Sequence, residues 1–132
     1  NRDYLENVMD GSISDRVFIL EKKASRYKIR ESPFFSRSGL STVNFAQKNG
    51  KLLATYNDEG KIVSTYERYR DLKLPPAVRN AVYKAYPGWD MYGNLYKVSY
   101  REAKGAKKLY KIQIRKDGLT KNLKFDVDGN RI

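Results

Sequence analysis

Residues 74–89 read LPPAVRNAVYKAYPGW, a short apolar stretch that is closed by proline at both ends. Proline is tolerated in the first turn of a helix, where its missing N–H has no helical partner, and Pro-Gly after the last turn stops a helix. Between these ends, apolar residues recur at the spacing of one helix face. The stretch therefore predicts a helix over residues 76–86 with one buried stripe. The stripe consists of Val78, Ala81, Val82, Ala85 and Tyr86.

The three segments that follow this helix alternate apolar and polar residues with a period of two. They are residues 95–101, 109–115 and 122–127. Such alternation is typical of antiparallel strands with one face on a core and the other in water. The helix is therefore predicted to pack on the apolar side of an antiparallel sheet. The apolar side carries Tyr96, Tyr100, Tyr110 and Phe125, and the wet side carries Lys97, Arg101, Lys111, Arg115 and Lys124.

The first half of the chain shows the same order of elements. Ser14 or Asp15 can cap a helix that begins near Arg16. One face of this helix is apolar at helical spacing. Three strands are expected after it, because turn signals such as Asn49-Gly50 separate further alternating segments. The helix face consists of Val17, Leu20, Ala24 and Tyr27, and the strands lie near residues 41–47, 51–56 and 61–73.

These patterns predict an α+β fold, an antiparallel sheet with two short helices on one face. The repeated order suggests a possible degenerate tandem helix-strand-strand-strand repeat, with halves at residues 14–73 and 74–132. We expect residues 14–132 to form one domain and residues 1–13 to be a flexible leader. In the loop before the first strand, Phe34 and Phe35 are expected to turn inward.

Composition excludes several classes of chemistry. The chain has a formal net charge of +12 and contains neither histidine nor cysteine. This removes disulfides, thiolate chemistry, the commonest general base and the commonest zinc ligand. It has no apolar run of about 18 residues, so no membrane span is expected. The charge favours anionic partners, namely nucleic acid, anionic glycans, membrane surfaces or acidic proteins, and the alternative is that it serves solubility alone.

Acidic residues occur in pairs, but in turns. The DVDGN stretch at residues 126–130 resembles the start of a calcium loop and lacks the bidentate Glu that such a loop needs at its twelfth position. Asp58 with Glu59, and Asp126 with Asp128, are expected to be solvated in hairpin turns. We therefore predict no catalytic residues, no metal ligands and no cofactor, and hence no enzyme.

Several motifs, taken in their order, resemble the PepSY-like proteins of Bacteroidetes, in particular the flavobacterial branch. They are LPPAVRNAVYKAYPGW, the alternating strands, FDVDGNRI at residues 125–132, RVFILEKKASRYKI at residues 16–29 and ATYNDEGKIVSTYERYRDLKLP at residues 54–75. The resemblance implies the beta-lactamase-inhibitor-protein-like fold, with helices on one face of an antiparallel sheet. It also implies export to the periplasm or cell surface. Relatives by fold bind and inhibit peptidases or lactamases, and the family offers no catalytic residues to transfer.

The functional prediction is an exported, non-catalytic binding module that uses the basic face of its sheet. Its partner is expected to be an acidic protein, as for a peptidase or inhibitor-type domain, or an anionic glycan. The alternative is a protein that binds nucleic acid or another polyanion. Stacking of bases needs aromatics on the exposed face, whereas the alternation places them on the other. The predicted partner-binding residues are Lys97, Arg101, Lys111, Arg115 and Lys124, with Tyr66 and Arg68 on an adjoining strand.

Overall fold

A computed structural model describes residues 1–132 as three helices and a six-stranded antiparallel sheet. The strands follow one another in the sheet in chain order, so each pairs with its sequence neighbours. This confirms the predicted α+β class. The helices are α1 (Arg2–Val8), α2 (Asp15–Arg26) and α3 (Pro76–Ala85), with a 3₁₀ turn at Ile29–Glu31. The strands are β1 (Ser41–Gln47), β2 (Gly50–Tyr56), β3 (Ile62–Arg70), β4 (Asp90–Arg101), β5 (Gly105–Lys116) and β6 (Leu119–Phe125).

All three helices lie on the same side of the sheet, which we term the inner face. Each contributes to one apolar core, through Tyr4, Val17 and Val78. The strands add their alternate residues to this core, among them Tyr96 and Tyr110. The opposite side, the outer face, carries no helix. The sheet therefore has one covered face and one open face, as its period-two pattern predicts.

The structure corrects the prediction of two helices and of a flexible leader at residues 1–13. Residues 2–8 form α1, and Tyr4 and Val8 are buried in the core. The two side chains lie four residues apart on one helix face, so both reach the sheet. Asn1 also ties this segment to the β2–β3 turn, because its Oδ1 accepts a hydrogen bond from the Ile62 N–H at 2.6 Å. Burial of Tyr4 therefore holds residues 2–8 against the core.

Helix α2 begins and packs as predicted. The Ser14 hydroxyl accepts a hydrogen bond from the Arg16 N–H, and the helix starts at Asp15. Val17, Leu20 and Ala24 are buried. Tyr27 follows the last turn and packs against the core from there.

Helix α3 starts at Pro76 and ends one residue earlier than predicted. Val78 and Val82 are buried, but Ala85 is exposed, so its placement in the buried stripe is wrong. Tyr86 and Trp89, whose ring centroids lie 6.0 Å apart, pack against the core at this end of the helix. These large rings cover the surface that the short methyl group of Ala85 does not reach.

The strands differ from prediction mainly at their ends. Strand β3 stops at Arg70, because Asp71 adopts a positive φ of 55° that breaks the extended backbone. The hairpin at Asn49-Gly50 forms as predicted, with Asn49 at a φ of 60°. In the preceding loop, Phe35 is half-buried but Phe34 is 57% exposed, so only one of the two phenylalanines turns inward. Phe34 adjoins a hydroxyl-stabilised turn at Ser32 that holds it outward.

The two expected halves share one sheet. Strands β3 and β4 pair along their length, with Tyr69 opposite Tyr96, and the core is continuous across this pair. The order helix, three strands, helix, three strands is present after residue 14. No helix combines the length and the apolar character that crossing a membrane requires.

Candidate functional site: the open face of the sheet

The outer face of the sheet carries a dense set of basic side chains. They come from strands β2 to β6, at the positions that alternate with the buried residues. We call this surface the basic face. Its members are Lys51, Arg68, Arg70, Lys97, Arg101, Lys107, Lys111, Arg115 and Lys124.

Strand register brings the central members of the basic face together. Lys97 lies opposite Arg68 across β3–β4, and Lys111 lies opposite Lys124 across β5–β6. Facing residues on neighbouring strands lie about 5 Å apart. The positive charge of Lys97, followed by that of Lys124, holds the pKa of the Lys111 ammonium group below its usual value. Four of the predicted partner-binding residues therefore form one electrostatic cluster.

Acidic side chains do not neutralise this cluster. The ion pairs of the molecule join Arg2 with Glu6, and Lys61 with Asp3 and Glu102, and none involves the basic face. The carboxylate of β3 itself, Glu67, points to the inner face and is buried. The charge of the basic face is consequently available to a partner.

Arg101 and Arg115 lie at opposite ends of the basic face, apart from the central cluster. Arg101 pairs with Gly105 at one end of the β4–β5 ladder, and Arg115 pairs with Asp90 at the other. A rise of about 3.3 Å per residue separates these ends by roughly 35 Å. Arg115 is instead engaged locally, since its guanidinium carbon lies 3.4 Å from the centroid of the Tyr92 ring.

Apolar side chains also reach the outer face, and sequence reasoning missed most of them. Tyr66 was predicted there and is 53% exposed, opposite Ser99. Tyr92 is 62% exposed because a β-bulge between Met91 and Gly93 breaks the alternation of β4. Leu53, Leu95 and Leu109 are half-exposed between the basic residues. The tyrosines predicted for the inner face, Tyr96, Tyr100 and Tyr110, are indeed buried, together with Phe125.

Beside the bulge, the outer face is indented by an open depression of about 860 Å³. Gly93 lies in it, opposite Gln113 on β5. One wall of the depression is formed by four residues that pair with one another in sequence across strands β3 to β6. The opposite wall includes Tyr92. The four paired residues are Arg70, Leu95, Lys111 and Lys124, and the remaining side chains that face outward here are Gln113 and Asn122.

A second unusual feature is a pair of glutamates inside the core. Glu21 of α2 and Glu67 of β3 are only 2% and 1% exposed. Three hydroxyl groups donate to Glu67: Tyr4 at 2.9 Å, Thr65 at 2.9 Å and Tyr69 at 2.8 Å. Buried carboxyl groups are costly unless they are hydrogen-bonded or neutralised. Glu67 is thus well provided with donors.

Glu21 has no comparable set of hydrogen-bond donors, and its pKa is raised. Burial, followed by the negative charge of neighbouring Glu67, raises the pKa of the Glu21 carboxyl to about 11. The Lys108 ammonium group opposes this rise, but it is the weakest of the influences on Glu21. Glu21 therefore holds a proton at neutral pH, which it can donate to Glu67. The Glu21 Oε2 atom and the hydroxyls of Tyr96 and Tyr110 have no hydrogen-bond partner.

The sequence pattern does indicate that both glutamates are buried. Glu21 lies four residues after Val17 and three before Ala24, so it shares their buried stripe. Glu67 alternates with Thr65 and Tyr69 on the inner side of β3. Both carboxyls are closed off from solvent by the core.

The acidic turns behave as predicted from the sequence. Asp126 Oδ1 accepts hydrogen bonds from the Asp128 and Asn130 N–H groups, both at 2.9 Å. These bonds lower the pKa of Asp126 by favouring its ionised form. Asp58 and Glu59 are exposed in the β2–β3 turn. Nowhere in the chain do three acidic side chains converge as ligands for a metal ion.

Comparison with known proteins adds no assignment. No protein-family model matches this chain, and no curated protein matches it either. The resemblance to the PepSY-like proteins stays a prediction from the sequence.

Proposed function

We propose that this protein is a non-catalytic binding module whose basic face docks an anionic macromolecule. The observation that carries the proposal is positive charge without a counterion on a preformed, uncovered sheet. Lys97, Lys111, Lys124 and Arg68 stand side by side, and no carboxylate pairs with them. A partner that brings negative charge would relieve their mutual repulsion. Binding would therefore be steered and strengthened by electrostatics.

The half-buried stems of the central lysines favour this role. Lys97 and Lys111 lie among Leu95 and Leu109, which restrict their side chains before a partner arrives. Less conformational entropy is then lost on binding. The exposed Tyr66 ring adds a rigid aromatic contact next to the charges. Aromatic and basic residues together are typical of protein-binding surfaces.

The partner class supported by these features is an acidic protein surface or an anionic glycan. Nucleic acid is the rival, and the exposed rings of Tyr66 and Tyr92 are the observation in its favour, since bases stack on such rings. The Arg115 guanidinium already stacks on Tyr92, however, and the tyrosines that would extend a stacking platform are buried in the core. The outer face thus offers bases one free aromatic ring, that of Tyr66. This favours an acidic protein or an anionic glycan over nucleic acid as the partner.

The test is the simultaneous replacement of Lys97, Lys111 and Lys124 by Gln. Stability should stay within about 1 kcal/mol of the parent, because these side chains make no ion pairs. Retention on a heparin column should fall markedly, since the central cluster is lost. Elution salt and the free energy of unfolding in urea are the two measurements.

A matched control removes the same charge from the helix-covered side. Lys23, Lys28 and Lys84 are exposed and belong to α2, the segment after it and α3. Their replacement by Gln should leave elution near that of the parent. Equal loss of retention in both triple variants would mean that net charge alone governs binding, and the basic face would then be rejected as the docking surface. Stronger retention on single-stranded DNA than on an acidic protein at equal salt would favour the nucleic-acid rival.

Export to the periplasm or cell surface belongs to the same proposal, and the PepSY-like motifs support it. An antibody against this domain should detect the protein in the periplasmic or surface fraction of its native cells. Recovery only with a cytoplasmic marker would contradict export and leave the docking proposal standing.

A further inference from the structure

The depression in the outer face exists because of one missing side chain. Gly93 occupies an outward position in β4, between outward-facing Leu95 and the bulged Tyr92. Strand β3 has already ended at Arg70, and the chain turns away through Asp71. Apart from the Asp71 carboxylate, no side chain and no neighbouring strand therefore fill the space over Gly93 on this side. The nearest atom to a Cβ placed on Gly93 is Asp71 Oδ1, at 3.6 Å.

The groups around the depression differ in chemistry from the rest of the basic face. Lys111 and Lys124 supply positive charge on one side. Gln113 and Asn122 face each other on β5 and β6, joined only by a long contact of 3.4 Å between Gln113 Nε2 and Asn122 Oδ1. Each amide therefore retains both a donor and an acceptor for another molecule. Asp71 adds a carboxylate acceptor at the floor.

We propose that this depression binds one acidic sugar unit of an anionic glycan, a deepening that rests on the proposed function of the basic face. The amides and the Asp71 carboxylate match vicinal hydroxyl groups, which both donate and accept. The Lys111 and Lys124 ammonium groups match a carboxylate or sulfate on the sugar. Leu95 offers apolar surface to its C–H face. The volume of about 860 Å³ lies in the range of small-molecule sites and suits a ring with its neighbours.

The same groups disfavour the other anionic ligands. A sulfate ion presents acceptors only and a phosphate ion keeps only one or two hydroxyl donors near neutral pH, so the Asp71 carboxylate would repel either ion and most of the amide acceptors would remain unused. An acidic peptide side chain brings one carboxylate and no hydroxyl groups. A sugar acid combines negative charge with several neighbouring hydroxyl donors, and this combination matches the lining.

Replacement of Gly93 by Val tests the inference. The φ of Gly93 is not in the left-handed region and its Cβ would meet Asp71 Oδ1 at an ordinary contact distance, so the backbone accepts a side chain. A valine there places a branched side chain in the depression without removing any charge. The probe is a tetrasaccharide of alternating glucuronate and N-acetylglucosamine, titrated by calorimetry. Affinity should fall about tenfold or more, because the ligand and the valine would occupy the same space.

Three controls separate the outcomes. Gly39→Val, in a loop with no atom within 4 Å of the added Cβ, should bind the tetrasaccharide like the parent. Retention of Gly93→Val on a sugar-free sulfonate cation-exchange column should stay close to parental, because the central cluster is intact. An uncharged N-acetylglucosamine tetramer should not bind. Equal binding of the charged and uncharged tetramers would overturn the requirement for an acidic sugar.

Failure of this inference and failure of the proposed function give different results. If the parent ignores the tetrasaccharide but the Lys97, Lys111 and Lys124 triple variant still loses heparin retention, the sugar site is wrong and the basic face stands. If the triple variant keeps its retention, the docking surface itself is wrong. If pentaglutamate binds the parent and Gly93→Val abolishes that binding, the depression takes peptide carboxylates and the sugar assignment falls.

Discussion

Replacement of Glu21 by Gln should raise the free energy of unfolding at pH 8 by a few kcal/mol. In the folded protein, burial and the charge of Glu67 raise the pKa of Glu21 to about 11. In the unfolded chain Glu21 lies in water and ionises near the usual pKa of a glutamate. Folding at pH 8 therefore requires Glu21 to take up a proton at a pH where a glutamate in water is ionised. Glutamine resembles the protonated acid in size and hydrogen bonding, and it folds without that proton.

The same argument fixes the direction of the pH dependence. Between the usual value of 4.5 and about 11, folded Glu21 binds one proton that the unfolded chain does not bind. Stability falls with rising pH wherever the folded state holds more protons, at about 1.4 kcal/mol per pH unit for one proton. This contribution is thus fully present below the lower pKa and is lost progressively as the pH rises toward the upper one. The parent should be clearly more stable at pH 5 than at pH 8.

Urea unfolding of the parent and of Glu21→Gln at pH 5, 6.5 and 8 measures this effect. The two stability curves should converge near pH 5 and diverge as the pH rises. Glu31→Gln provides the control, because Glu31 is exposed and its replacement should leave the slope of the parent unchanged. Parallel curves for the parent and Glu21→Gln would show that the buried pair holds no proton at neutral pH.

Sequence periodicity accounts for most of the fold because it reports which residues share a face. The alternation in β3 to β6 separates Tyr96 and Tyr110 from Lys97 and Lys111, and the structure has the same separation. Turn chemistry places the hairpin at Asn49-Gly50. Helix α1 was missed because its N-cap makes no side-chain hydrogen bond and the helix has only seven residues. Its stability comes from tertiary contacts, which a local pattern does not contain.

The candidate site could be predicted only in part, because a sequence pattern reports local properties. A face is a local property, so Lys97, Lys111 and Lys124 were placed correctly. Register and strand ends are not local, so the distance between Arg101 and Arg115 could not be predicted. The bulge that turns Tyr92 outward shifts the alternation by one residue, which a uniform period of two excludes. The pairing of Glu21 with Glu67 joins residues far apart in the chain, and only the packing of α2 on the sheet reveals it.

Replacement of Val82 by Asp should destabilise the protein by roughly 3–5 kcal/mol. Val82 lies in the middle of α3 and is buried in the core with Val78. An aspartate there either buries an unpaired charge or takes up a proton, and it also loses the apolar contacts of the valine. Val78 and Val82 are the two buried residues of α3, so the substitution removes a large part of the apolar contact of the helix with the core.

Ala85→Asp is the matched control on the same helix, because Ala85 is exposed. A carboxylate near the end of a helix is unfavourable by a few tenths of a kcal/mol, so this variant should melt close to the parent. Val82→Asp should melt lower by roughly 10 °C or more for a domain of this size. Equal melting temperatures for the two variants would mean that α3 does not pack its Val78–Val82 side on the sheet. A large drop in melting temperature for Ala85→Asp alone would instead support the stripe predicted from the sequence, in which Ala85 is buried. The two substitutions together thus decide which side of α3 faces the core.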